Sequence, residues 1–313
     1  MHLTRLSIPT RQFRPGFTLV ELIVVIVIVG ILAALILPAI SQTFVTANNA
    51  KVTVEIKNLE NAIALFKTKY GVEPPSQFRL CWTSQAWGAN PESKALVRRI
   101  WPSFDFSMPQ GSYPKWWNDT PYSNTGILLN GSECLVFFLG GVMSSEPTQE
   151  TSSAPMGFSV NAQRPFSDID IARVPAFFEF DTGRMKDDNG NRFAEYYDPL
   201  PGKSKQPYVY FSSYEGTGYR AEELPNYTLL DVYRQGNSAV KPGKNAAAGE
   251  SAKFPPQKAT GFQIISPGYD GLLGFGGVYT SELANSGLTA PDGTPDMAAF
   301  DNITNFSNGV LKK

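Results

Sequence analysis

The sequence predicts an α+β fold: one long N-terminal helix, apolar over its first half, packed on a mostly antiparallel β-sheet head with long loops. Three observations carry this. From Phe17 to Ile40 the only ionisable side chain is Glu21. From Val45 to Tyr70 apolar residues recur at helical spacing, and the pattern stops at Gly71 and Pro74-Pro75. Beyond that, short runs rich in aromatic and β-branched residues alternate with Pro, Gly, Asn and Asp. One helix followed by a series of strands sorts as α+β rather than alternating α/β. At roughly 100–200 residues per domain, the chain has room for one elaborated domain or two small ones.

The apolar run comes first. Roughly 20 apolar residues cross a bilayer as a helix. A secretory signal has a shorter apolar core followed by a small-residue cleavage site. Here a cut is expected before the run, so the run stays with the mature chain. Residues 1–16 contain Arg5, Arg11 and Arg14 and no acid, the positive flank that stays in the cytoplasm. Without them the chain keeps 24 basic and 28 acidic residues, a formal −4. That is no basic footprint for nucleic acid. The single histidine, His2, also lies in the leader. Its removal leaves no Ser-His-Asp, Cys-His or His-ligated metal chemistry.

Glu21 needs a reason. A carboxylate near the bilayer centre costs about 2.5–3.5 kcal/mol on insertion scales and usually marks function. A cut after Gly16 makes Phe17 a free amino terminus with Glu21 one helical turn away. Amine and carboxylate can then pair, within a subunit or between neighbours, and set a register when helices pack.

These residues resemble the type IV pilin and type II secretion pseudopilin family. The match is Gly16 before the cut, Phe17 as first mature residue, Thr18-Leu19, Glu21 at the fifth mature position and Pro38 at the twenty-second. The resemblance implies cleavage by prepilin peptidase between Gly16 and Phe17 and N-methylation of Phe17. It also implies polymerisation through the N-terminal helix, with Glu21 and Pro38 serving assembly on an inner-membrane platform. The competing reading is an uncleaved signal anchor that follows Gly-Phe by chance.

Past Pro38 the helix changes surface. A proline kinks a helix, which packed neighbours tolerate. Val45, Val52, Ile56, Leu59, Ile63, Phe66 and Tyr70 then form one apolar face. Lys51, Glu55, Lys57, Glu60, Lys67 and Lys69 lie between them. A helix of about 54 residues would be ~80 Å long. The chain thus divides into a leader (1–16), a long helix (17–71, with 17–40 as membrane or filament core and 41–71 amphipathic), an aromatic-rich insertion (72–133) and a β-rich head (134–313).

The insertion holds all five tryptophans, Trp82, Trp87, Trp101, Trp116 and Trp117, among Pro102, Pro109, Pro114 and Pro121. It reads as loops with a short helix near Glu92–Trp101. The aromatics form either an exposed platform for a sugar, peptide or partner or the segment's own small core. Cys81 and Cys134 are the two cysteines. In an exported chain they form a disulfide or two buried free thiols.

The run Glu133–Gly141 reads as a buried strand or a short core helix, since periodicity cannot separate these at such length. Ala176–Phe180, Tyr208–Ser212, Thr228–Tyr233 and Phe262–Ser266 read as strands, and Lys241–Gln257 as an exposed loop. Asp187-Asp188-Asn189-Gly190-Asn191 fails the EF-hand template, because Met185 and Tyr196 would hold loop positions one and twelve. It reads as a turn.

The C-terminus carries Ser266-Pro267-Gly268-Tyr269-Asp270-Gly271, a Gly-rich stretch, Asp292-Gly293-Thr294-Pro295-Asp296 and Asp301-Asn302-Ile303-Thr304-Asn305-Phe306. These resemble the end of the family's major pseudopilin, which binds calcium there. The resemblance implies Ca2+ at Asp270 and Asp301, with Asp292 and Asp296 as further candidates. Ordinary solvated turns explain the same residues.

The reading that follows is a structural subunit, not an enzyme and with no required cofactor, polymerising with itself or related pilins. It enters the inner membrane once, with the N-terminus cytoplasmic and the head periplasmic, and then joins a pseudopilus or surface filament. The alternative is a minor tip pilin or adhesin whose Trp-rich head binds a ligand or partner. A membrane-anchored hydrolase would need a catalytic acid pair or Ser-Lys site, and no spacing singles one out.

Overall fold

The computed structural model describes residues 16–109, 111–119, 124–149, 152–200, 206–227, 229, 231–236, 254–281 and 287–311. Arg5, Arg11, Arg14 and His2 lie outside these, as do Pro121, Thr228, Leu230 and most of the Lys241–Gln257 loop. The chain forms two compact units, residues 1–47 and 48–313.

In the first unit, helix α1 (Leu19–Tyr70) begins just after the Gly16-Phe17 bond and runs on through Pro38. Thr18 is its N-cap. The Glu21 backbone N–H donates to Thr18 Oγ1 at 3.2 Å, and Glu21 Oε2 accepts from both the Thr18 N–H and its hydroxyl at 2.8 Å. This is a capping box, in which two helix-end donors are satisfied reciprocally. Leu19–Leu37 is long and apolar enough to cross a membrane, and none of it is buried in the protein.

In the second unit, α1 buries Val52, Ile56, Leu59, Ile63 and Phe66, with Ala62 filling the stripe. The helix stops as its residues dictate. Gly71 takes a left-handed φ of 78° and donates its N–H to Lys67 O at 2.8 Å, a C-terminal cap that glycine adopts without a Cβ clash.

After it come β1 (Phe78–Leu80), α2 (Ser84–Ala89), α3 (Pro91–Ile100), β2 (Ile127–Leu129) and α4 (Gly131–Leu135). The head continues with β3 (Phe158–Ser159), β4 (Arg173–Val174), β5 (Met185–Lys186), β6 (Glu195–Tyr196) and β7 (Val209–Ser212). It closes with β8 (Tyr233–Gln235), β9 (Phe262–Ser266), β10 (Gly277–Tyr279) and β11 (Ile303–Thr304).

The central sheet is antiparallel, in order β11-β9-β7, with Tyr210 opposite Ile264 and Ile303 opposite Ser266. Alternate residues divide between two cores. Tyr208, Tyr210 and Ile264 join the core that α1 packs into. Val209, Phe211 and Ile265 face a second core with Leu273, Leu288 and Phe300. A sheet buried on both faces reads as a continuous apolar run, which is why β7 and β9 stand out in the sequence. The remaining strands pair in twos, all antiparallel except β8 with β10.

One open alternative closes and two expectations change. Glu133–Gly141 is helical: α4 is capped by Asn130 and continues as a wider turn over Val136–Gly140. Ala176–Phe180 is not a strand. Pro175 has no N–H with which to extend the β3–β4 pair, and the Phe177 N–H turns to Leu139 O at 2.7 Å. The Thr228–Tyr233 expectation shifts, the strand being Tyr233–Gln235.

Candidate functional site

The structure separates the sequence-predicted residues into two places. At the N-terminus, Gly16 and Phe17 are exposed and non-helical. The peptide bond between them therefore lies just ahead of the helix. Glu21 is exposed in the first turn, and its carboxylate is held by Thr18. Thr18 was not among the residues expected to act here. The Thr18-x-x-Glu21 spacing, a capping-box signature before an apolar run, is the signal that marks it. The box orients the Glu21 carboxylate toward the N-terminal end of the helix, where a new amine at Phe17 would arise.

At the C-terminus, Asp270 and Asp301 come together. The Asp270 N–H donates to Asp301 Oδ2 at 2.9 Å, and Asp270 Oδ1 accepts from the Leu272 N–H at 2.8 Å. Gly268 makes this approach possible: at φ 72°, a Cβ there would stand 2.3 Å from Asp301 O. Burial pushes the Asp301 carboxyl up to about 6, with the Asp270 charge adding to it. Asp301 Oδ1 and Asn302 Oδ1 are both buried without a hydrogen-bond partner among the described residues. The Asn302 amide nitrogen donates to Tyr233 Oη and Leu273 O, both at 2.8 Å, which fixes its oxygen on the other side.

Asp296 accepts the Phe275 N–H at 2.8 Å and its charge acts on Asp270. Asp292 sits in an exposed turn and spends Oδ1 on the Thr294 N–H and hydroxyl. Among the described residues no three His, Cys, Asp or Glu side chains form a metal-binding group. Any cation here would therefore draw on amide and carbonyl oxygens as well, which calcium accepts.

The structure also chooses between the alternatives left open for the tryptophans and the cysteines. The tryptophans are not a surface platform. Trp82, Trp87, Trp101 and Trp117 are buried in the main core, and Trp116 packs against it. Trp101 meets Phe158 and Phe166 edge-on at 5.0 and 5.3 Å, and Trp87 meets Phe104 at 5.6 Å. The insertion has few aliphatic residues and builds its core from rings. The cysteines are not bridged: Cys81 and Cys134 are both buried free thiols. Their sulfurs are engaged apart, Cys81 with Arg79 O and Asn90, Cys134 with Leu129 O. The Asp187 loop is a turn, as expected, its carboxylate accepting the N–H groups of Gly190, Asn191 and Arg192.

Comparison with known proteins supplies the context. Residues 13–37 match the prokaryotic N-terminal methylation motif. The chain is 31% identical over 117 residues to the type II secretion system core protein G of Vibrio cholerae, covering 36% of this chain and 71% of that one. It is 29% identical over 119 residues to the protein of the same name from Klebsiella pneumoniae, 38% of this chain and 76% of the relative. Against the Klebsiella michiganensis protein it is 46% identical over 57 residues, only 18% of this chain and 40% of the relative's length. No solved structure matches the chain.

Proposed function

Since the chain belongs to the type IV pilin and type II secretion pseudopilin family, we propose that it is a structural subunit of a type II secretion pseudopilus or a related pilus-like filament. The single observation that carries this is the N-terminal arrangement. An exposed Gly16-Phe17 bond precedes an uninterrupted, uncovered apolar helix whose one charge, Glu21, is anchored in its first turn. A bare apolar surface of this kind is stable only in lipid or against other helices.

In this reading, prepilin peptidase cuts after Gly16 and Phe17 becomes the methylated terminus. The subunit waits in the bacterial inner membrane with its head in the periplasm. An assembly platform then lifts it into a homo-polymer, or a polymer with related pilins. Phe17–Leu37 enters the filament core, where Glu21 meets a neighbour's amino terminus and Pro38 marks the end of the buried segment. No step calls for catalysis.

A bound Ca2+ belongs to the same reading. Asp301 Oδ1, Asn302 Oδ1 and the Asp270 carboxylate offer hard oxygen ligands, and the first two lack protein donors among the described residues. Such a cation would neutralise the half-buried Asp301 and clamp the turn after β9 to β11.

The test is the intact mass and amino-terminal residue of the protein from native membranes, beside Glu21→Ala. The expected result is a chain starting at methylated Phe17, with the Glu21→Ala form processed but absent from filaments. A chain still beginning at Met1 would overturn the proposal. A processed chain present only in trace amounts at filament ends would point to a minor tip subunit instead.

A further inference from the structure

The head contains a cleft of about 420 Å3 between α3 and the loop after β7, lined by Gln77, Phe78, Leu96, Arg99, Tyr214 and Arg220 among others. That volume lies within the roughly 300–1,000 Å3 of ligand sites. Filament assembly through α1 makes no use of it.

Its walls carry a crossed charge pattern. Helix α3 presents Glu92 and Arg99, seven residues and about 10.5 Å apart along the axis. The facing loop presents Arg220 and Glu215. Arg99 Nη2 reaches Glu215 Oε2 at 2.9 Å, and Arg220 Nη1 reaches Glu92 Oε2 at 3.7 Å. The two arginines therefore stand on opposite walls at opposite ends.

Neither internal pair is strong. The Glu92 side chain is 86% exposed, and exposed ion pairs hold weakly. The arginine at that end is nonetheless fixed in place. The Arg220 guanidinium lies 3.9 Å from the Tyr214 ring centroid. The Tyr214 hydroxyl is in turn bonded to the buried Glu223 at 2.5 Å. A guanidinium has five N–H donors in a fixed fork, more than the one carboxylate that each of Arg99 and Arg220 meets here can accept.

The loop is also strained. Tyr214 and Glu215 both take left-handed φ angles, 49° and 61°, which residues with a Cβ rarely adopt. Such strain persists only where the surrounding structure over-determines it, and it clusters at functional sites.

We propose that this cleft binds an extended acidic segment of a partner protein. Two carboxylates of that segment would replace Glu215 on Arg99 and Glu92 on Arg220. An extended chain rises about 3.3 Å per residue and alternates its faces. Acids at positions i and i+3 are thus ~10 Å apart and point to opposite walls, as the two arginines require. Ala95 and Leu96 would take an apolar side chain between them.

The probe is fluorescein-Ala-Glu-Leu-Ala-Glu-Ala, titrated by anisotropy against the full-length protein in detergent micelles. Binding is expected to weaken at least about five-fold in Arg99→Gln and in Arg220→Gln, and in about 0.5 M salt. Glu92→Gln should tighten it, because a competitor is removed; this exposed variant also guards against misfolding as the cause of lost binding. Equal binding of the Gln-for-Glu peptide, tighter binding of a Lys-for-Glu peptide, no binding at all, or arginine variants that melt like wild type and bind like it would each overturn the proposal.

Discussion

Glu55 on α1 grips Arg184 of the head by both terminal guanidinium nitrogens, at 2.9 and 2.5 Å. The same carboxylate accepts the hydroxyls of Tyr196 at 2.9 Å and Tyr208 at 2.6 Å. Arg184 also stacks over the Tyr196 ring and bonds to Asp181 and Tyr197 O. One carboxylate on the helix thus collects four donors from three parts of the head.

Removing Glu55 should therefore cost far more than a surface change. Glu55→Ala strands a half-buried guanidinium and two tyrosine hydroxyls, and breaking such a pair costs about 3 kcal/mol. Lys57→Ala should cost under about 1 kcal/mol, since the Lys57–Glu60 pair is exposed. Urea unfolding of the full-length protein in detergent, followed by tryptophan fluorescence, measures both. Equal losses would show that the network is no more than a surface pair.

Much of this was legible in the sequence, and the reasons for the rest are physical. The apolar run, the face from Val52 to Phe66 and the stop at Gly71 follow from helical periodicity, and β9 follows from its composition. The N-terminal residues announced themselves because a lone charge in an apolar run is costly and must be offset by a partner. Glu55 did not, because a glutamate on the polar side of a helix looks solvated until partners arrive from 129 to 153 residues away. The tryptophans left both a surface and a core open, since both use rings. Ala176–Phe180 has the composition of a strand, and only its place after Pro175 and beside Leu139 removes it from a sheet.

The pair Glu133 and Glu195 makes the head sensitive to alkali. Both are buried. Asn130 joins them, its N–H donating to Glu133 Oε2 and its amide to Glu195 Oε1, both at 2.7 Å. Asn189 donates to Glu133, and Tyr197 to Glu195. No Lys or Arg among the described residues pairs with either. Burial first, then the neighbouring carboxylates, pushes Glu133 up to about 8 and Glu195 to about 7. The unfolded carboxyls ionise near 4.5, so between about 4.5 and 8 unfolding releases protons. Rising pH therefore favours the unfolded chain across this window, by an amount on the order of a few kcal/mol, and the loss levels off above it. Asp301 adds in the same direction. Glu195→Gln should flatten the urea midpoint between pH 5 and 8 and raise it at pH 8. A wild-type midpoint that climbs with pH would refute this.

Calcium should stabilise the C-terminal turns. Millimolar CaCl2 is expected to raise the melting temperature of the full-length protein, EGTA to reverse it, and Mg2+ to do less because it demands a tighter octahedron. Asp301→Asn and Asp270→Asn should abolish the shift, whereas Asp292→Asn should leave it, since Asp292 is committed to Thr294. With Asp301 titrating near 6, the calcium effect should fade as pH drops through 6. A shift that survives Asp301→Asn would place the cation elsewhere.

The thiols should be silent until the head opens. Burial pushes the Cys81 thiol up to about 12. Burial also raises Cys134, with the Glu133 and Glu223 charges adding to it. The thiolate is the reactive form, and neither sulfur is accessible. Native protein at pH 8 should therefore leave an aromatic disulfide reagent unreacted, and denaturant should release both thiols at once, tracking loss of tryptophan burial. The full-length protein from native membranes should have the same mass with and without reductant. A mass lower by two hydrogens before reduction would show that Cys81 and Cys134 are bridged, and that the insertion is tied to α4 covalently rather than by its aromatic core.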